Sequence, residues 1–207
     1  MAGVYILPMI IAHIFAAISS GPIGKDAVSP VSKVGYYTPV ALFAAVLLSV
    51  GSGLIATFSP STPTGKWIGY QILYGAGRGL GLQMPIIAVQ NTVPPQQIPI
   101  AMALVTFSQS FGAALFLSFA ETIFSNSFGN LLSEYAPSVN AQSVVVVGAT
   151  GFRSFVSGKD LAGVLIAYAK SIDRIFYLGA GLGAACFVFA WGMGWKDLRK
   201  KKEVSKA

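Results

Sequence analysis

The sequence predicts an all-α, polytopic membrane protein with about five transmembrane helices. Three observations predict it. Of 207 residues 54% are hydrophobic and only 10% charged, and the mean hydropathy is +0.68; that leaves too little charge to coat a soluble domain of this length. The apolar residues fall into stretches of about 20, the length that crosses a bilayer core as a helix. Turn-forming, proline-rich stretches separate them, whose polar groups require water.

The expected spans are residues 4–22, 37–58, 67–91, 98–125 and 174–195. No basic region precedes the first, and further helices follow it, so it is not a secretory signal. A chain that starts this close to a span is expected to be truncated. Prolines at 60, 63, 94, 95 and 99 cannot continue a helix and mark tight connections. Residues 126–173 mix polar, Pro and Gly positions with apolar clusters and are expected to form one long outer loop. Within it Leu161, Val164, Leu165, Tyr168 and Ile172 recur at helical spacing, which predicts a short amphipathic helix, on the membrane surface or simply solvated.

Charge sets the orientation. Of the 14 basic residues, Lys196, Arg199, Lys200, Lys201, Lys202 and Lys206 lie in the tail 196–207, and the positive-inside rule places that tail in the cytoplasm. Counting back through five spans puts the loop with Lys25 and Lys33 on the same side. The net charge of +7 is concentrated in this tail, which fits anionic lipid headgroups and not nucleic acid. A single Cys186 and a single His13 give no disulfide and no metal-ligand set; no cofactor or metal is expected.

The third span holds Gly75-Ala76-Gly77-Arg78-Gly79-Leu80-Gly81. It fails as a dinucleotide fingerprint, because leucine stands at position 80 and the run lies inside an apolar helix. It reads instead as two overlapping small-residue pairs, Gly75 with Gly79 and Gly77 with Gly81, which let helices approach closely in lipid. Polar residues at membrane depth are costly unless they face a bundle interior or a watery cavity. Arg78 is the clearest, near mid-span. Gln71, Gln83, Gln90 and Gln109 are further cavity candidates, the alternative being amides that bond between helices. Glu121, the one carboxylate within a span, and His13 are the weaker proton-coupling candidates. Arg78 and Glu121 differ in depth by roughly 15 Å, which argues against a direct ion pair.

These residues carry a family resemblance. Gly3-Val4-Tyr5-Ile6-Leu7-Pro8, Val34-Gly35-Tyr36-Tyr37-Thr38-Pro39, Trp67-Ile68-Gly69-Tyr70-Gln71-Ile72, Gly79-Leu80-Gly81-Leu82-Gln83-Met84-Pro85, Ala88-Val89-Gln90-Asn91, Phe107-Ser108-Gln109-Ser110-Phe111-Gly112 and Ile123-Phe124-Ser125-Asn126 stand in an order and spacing that resemble the C-terminal part of a fungal major facilitator superfamily transporter. The branch is that of the fourteen-helix drug:proton antiporters, which includes mycotoxin and multidrug efflux pumps. The resemblance implies an incomplete C-terminal domain over residues 1–195, whose N-terminal half is missing. It implies a plasma-membrane protein whose partners are the bilayer, a hydrophobic small-molecule substrate and protons. The loop after the first span is similar to a G-x-x-x-[KR]-x-G gating loop, with Lys33 and Gly35 in place and Gly24 to Pro30 as extra sequence. The family usually carries glutamine where Glu121 stands. A lone incomplete half is expected to be inactive in transport, since alternating access rocks one half against the other. The alternative is a non-transporting membrane remnant that packs against other helices; no paired groups of an enzyme active site are present.

Overall fold

A computed structural model describes residues 5–20, 36–59, 62–139, 144, 156 and 158–194. The described residues form five α-helices: α1 (Leu7–Ser20), α2 (Thr38–Ile55), α3 (Thr64–Thr92), α4 (Ile98–Tyr135) and α5 (Gly158–Trp191), with a 3-10 turn at Pro95–Gln97 before α4. The starts follow from proline. Pro39 and Pro99 sit in the first turns of α2 and α4, where a missing N–H loses no intrahelical bond. Helix α2 to α5 are each long and apolar enough to cross a membrane, while α1 is shorter as described, about 21 Å at 1.5 Å per residue.

The helices pack as a row in the order α1, α3, α2, α5, α4, with a smaller contact between α3 and α4. Their directions alternate as the chain order requires. Along α3, Gly75 and Gly79 meet Met9 and His13 of α1 in the same sense, whereas Gly77 and Gly81 meet Leu47–Leu48 and Ala44 of α2 in the opposite one. Gly183 and Gly179 of α5 likewise run antiparallel to Ser49 and Ser52 of α2.

Two buried cores lie at opposite ends. At one, Tyr37, Val40 and Ala41 of α2 meet Met84 and Ile87 of α3 and Ala190 of α5. Buried Tyr37 and Thr38 tie the start of α2 to the end of α5: the Tyr37 hydroxyl donates to Met193 O at 3.0 Å and Thr38 Oγ1 to Gly194 O at 2.5 Å. At the other end, Phe128, Leu131 and Leu132 of α4 pack on Val164 and Ala167 of α5.

That second core lies within residues 126–173, the segment expected as an outer loop. Helix α4 continues to Tyr135 and α5 already begins at Gly158, so residues 126–135 and 158–173 are helical arms packed on one another. Leu161, Val164, Leu165 and Tyr168 belong to α5 and face α4; they do not form a separate surface helix. The physical reason is that nothing between Leu161 and Arg174 breaks a helix, and Gly163, whose Cβ would collide with Tyr135 O, lets the two arms close. At 38 and 34 residues these helices measure about 57 Å and 51 Å, well beyond a hydrocarbon core of about 30 Å. In the most apolar 18-residue window of α4, by contrast, no residue is buried within the chain.

Candidate functional site

The glycine-rich centre of α3 is where helices approach most closely. An added Cβ at Gly75 would strike Met9 O and lie 3.2 Å from Ala12 Cβ; at Gly79 it would strike His13 O and lie 2.8 Å from Ala16 Cβ. On the adjacent face, a Cβ at Gly77 would come within 2.6 Å of Leu48 N, while Gly81 has Ala44 Cβ at an ordinary 3.7 Å. Helix α3 is thus held between α1 and α2 by backbone-to-backbone approach, the packing mode available in lipid, where no hydrophobic drive separates helix from tail.

Arg78 lies at the midpoint of α3 and is exposed. His13 and Gln71 are half-buried, and His13 Nδ1 and Gln71 Oε1 are buried with no hydrogen-bond partner among the described residues. An arginine only donates, so the unpaired Gln71 Oε1 also means that Arg78 and Gln71 are not hydrogen-bonded to each other. Gln83 is half-buried, and Gln90, exposed at the end of α3, takes part in an interaction of its own. Gln109 is exposed on α4. Glu121, also exposed, accepts a long hydrogen bond from Ser125 Oγ at 3.4 Å, one turn along. Lys33 and Gly35 lie outside the described residues. The polar candidates therefore occupy α1, α3 and α4 without converging on one point.

A second feature escaped the sequence reading. A cavity of about 550 Å³ opens between the end of α2, the turn into α3, the start of α3 and the first half of α5, with Tyr5, Phe58, Trp67, Tyr168 and Phe176 among its walls and Asp173 beside them. The signal was present. Leu165, Tyr168, Ala169, Ile172, Asp173 and Phe176 form one stripe at helical spacing, which a span boundary drawn between 173 and 174 cut in two.

No family model matches the chain, and no solved structure matches it. Three similar proteins are the MFS-type transporter pigP of Monascus ruber, 55% identical over 96% of this chain and 34% of its own length; the efflux pump mlcE of Penicillium citrinum, 45% identical over 99% and 36%; and the efflux pump mokI of Monascus pilosus, 46% identical over 94% and 34%. The chain spans about a third of the length of these relatives. Its apolar helices make it an integral membrane protein, and over nearly its whole length it is similar in sequence to fungal proteins named MFS-type transporters and efflux pumps.

Proposed function

We propose that the chain forms one side of an exporter that moves hydrophobic metabolites, toxins or drugs across the plasma membrane by proton antiport, and that it does not transport alone. The exposed Arg78 carries this reading. A guanidinium at the middle of a span costs several kcal/mol against hydrocarbon, so the face of α3 that bears it is suited to a polar cavity or a further protein element, as in a transporter whose substrate site lies near the midplane between two halves. Gln71, two turns along the same face, extends the polar lining; Gln83, Gln90 and Gln109, on other faces, are the further cavity candidates. His13 and Glu121 are the groups within spans able to exchange a proton, and Lys33 and Gly35 belong to the gating loop.

The test is a chimera in which this chain replaces the matching third of a related efflux pump. There Arg78→Gln is expected to preserve expression and folding while changing substrate affinity or proton coupling about tenfold, the scale of one lost charge-assisted contact. Unchanged transport of every substrate would mean that Arg78 snorkels along a groove and lies outside the site.

The basic segments support the orientation. Ser20, Tyr37 and Gly194, which border the stretch with Lys25 and Lys33 and the basic tail, lie at one end of the bundle, and the helical arms 126–135 and 158–173 lie at the other. With exposed Cys186 replaced by serine, a cysteine at position 138 is expected to react with an impermeant reagent on intact cells. Reaction only after permeabilisation would invert the topology.

A further inference from the structure

We infer that residues 196–207 are a docking segment for anionic phospholipid headgroups, held at the bilayer surface by a clamp between the start of α2 and the end of α5, and that lipid on the segment tightens the clamp in return. This coupling needs neither export nor a particular direction of the bundle across the membrane.

The clamp is built from carbonyls that a helix end leaves without intrahelical partners. Helix α5 stops at Trp191, and the turn after it closes with Gly192 N donating to Phe189 O at 3.0 Å and Met193 N to Ala190 O at 3.2 Å. The next two carbonyls, of Met193 and Gly194, are taken by the start of α2, where the buried Tyr37 and Thr38 donate to them at 3.0 and 2.5 Å. Gly194 has a φ of +81°, in the left-handed region that favours glycine. The chain therefore turns off the α5 axis at a point fixed by two hydrogen bonds from another helix. Lys196 follows two residues later, at most about 7 Å of chain from Gly194.

The end of the bundle that carries the clamp has the character of a headgroup layer. Trp191 is exposed there and Trp195 follows it in sequence; tryptophan collects at membrane–water interfaces. Residues 195–207 lie outside the described residues, and their sequence supplies the charge. Six of the chain's 14 basic residues fall in 196–207 against Asp197 and Glu203, and Arg199 to Lys202 are consecutive. A basic cluster directly after a span fits a surface of anionic phospholipid, whose attraction fades within a Debye length of about 10 Å at 0.1 M salt. The clamp keeps the first cations inside that distance, so they meet headgroups at high local concentration. It also selects lipid over a soluble anion, because lipid alone shares the plane of the clamp. Coupling is reciprocal: headgroups that hold the segment limit fraying of the turn at 192–194 and keep its carbonyls on Tyr37 and Thr38.

The experiment places the full chain, carrying Cys186→Ser and Ser205→Cys with an environment-sensitive dye on the new thiol, in vesicles of phosphatidylcholine with and without phosphatidylserine. Both leaflets have one composition, so either orientation of the chain gives the same readout. Phosphatidylserine is expected to shift the dye emission to the blue, high salt to reverse the shift, and amide exchange at Gly192, Met193 and Gly194 to slow about threefold. Replacing Arg199, Lys200, Lys201 and Lys202 by glutamine should abolish both effects. Tyr37→Phe, which keeps the buried ring and removes one donor, should raise the phosphatidylserine fraction needed for half the shift about threefold, the same factor by reciprocity. Thr38→Val, nearly equal in volume, removes the other donor and should act alike. A shift that is equal in both vesicles, or that survives loss of the four cations, would overturn lipid docking; exchange at 192–194 indifferent to phosphatidylserine would overturn the coupling. Reversal of the shift by glycerophosphoserine at the headgroup concentration of the vesicles would also overturn it, by giving the segment to soluble phosphate esters. No transport is measured, so failure here leaves the export reading standing, and a failed export assay leaves this coupling standing.

Discussion

Replacing Gly79 by valine is expected to unseat α1 from α3 and to lower the thermal midpoint of the chain in detergent by about 5 °C or more. The first added carbon already strikes His13 O and comes within 3.0 Å of Ala17 N; both are backbone atoms that no rotamer change can move aside. The whole of α1 must withdraw, and with it go the contacts of Met9, Ala12 and Ala16 along the interface. Overpacking a close-packed site costs roughly 1–3 kcal/mol, which for a chain of this length corresponds to several degrees. Alanine at Gly77, facing Leu48 N at 2.6 Å, should act the same way on the α2 side. Gly53 and Gly69 supply the control, because a Cβ there meets nothing within 4 Å; alanine at either should be neutral or stabilise by up to about 1 kcal/mol through helix propensity. Equal melting of the Gly79 and Gly69 variants would show that the close approach of α1 and α3 does not hold the bundle together.

The architecture was legible where it rested on single strong signals. Apolar stretches bounded by Pro60, Pro63, Pro94 and Pro95 marked the end of α2, both ends of α3 and the start of α4 to within three residues, although Pro85 stands inside α3, where packed neighbours can satisfy the freed carbonyl. The ends of α4 and α5 were not legible. Residues 126–135 and 158–173 are polar enough to read as loop, yet Phe128, Leu132, Val164 and Ala167 bury against each other, and only tertiary packing shows that their two helical stripes meet. The same misplaced boundary concealed Asp173. The sequence marked it as the edge of a loop, whereas the structure seats it in an aromatic cavity whose other walls come from α2 and α3. For Arg78 the sequence could place the charge at mid-span but could not show which way it turns, because the glycines around it are compatible with either a cavity or a groove; the structure leaves it on an exposed face.

That exposed face bears on the second large effect. Export of the kind proposed requires two units that rock about a site between them, and the five described helices, packed in a row with a lone arginine turned outward, offer one wall of such a site. The chain alone is therefore expected to give no energy-dependent efflux, a loss of the whole activity and not a fraction of it. Supplied with the other wall, it should work, because its likeness to the pumps it resembles extends over 94–99% of its length. The α4 surface, whose most apolar window is unburied within the chain, then faces lipid or the rest of the assembly.

The most direct measurement compares efflux of a fluorescent hydrophobic drug from a drug-sensitive host expressing three proteins at matched membrane levels: this chain alone, a related full-length efflux pump, and that pump with its matching third replaced by this chain. Uncoupler-sensitive efflux is expected from the pump and the chimera, and none from the chain alone. Uncoupler-sensitive export by the chain alone, reproduced with the purified chain in proteoliposomes, would contradict it.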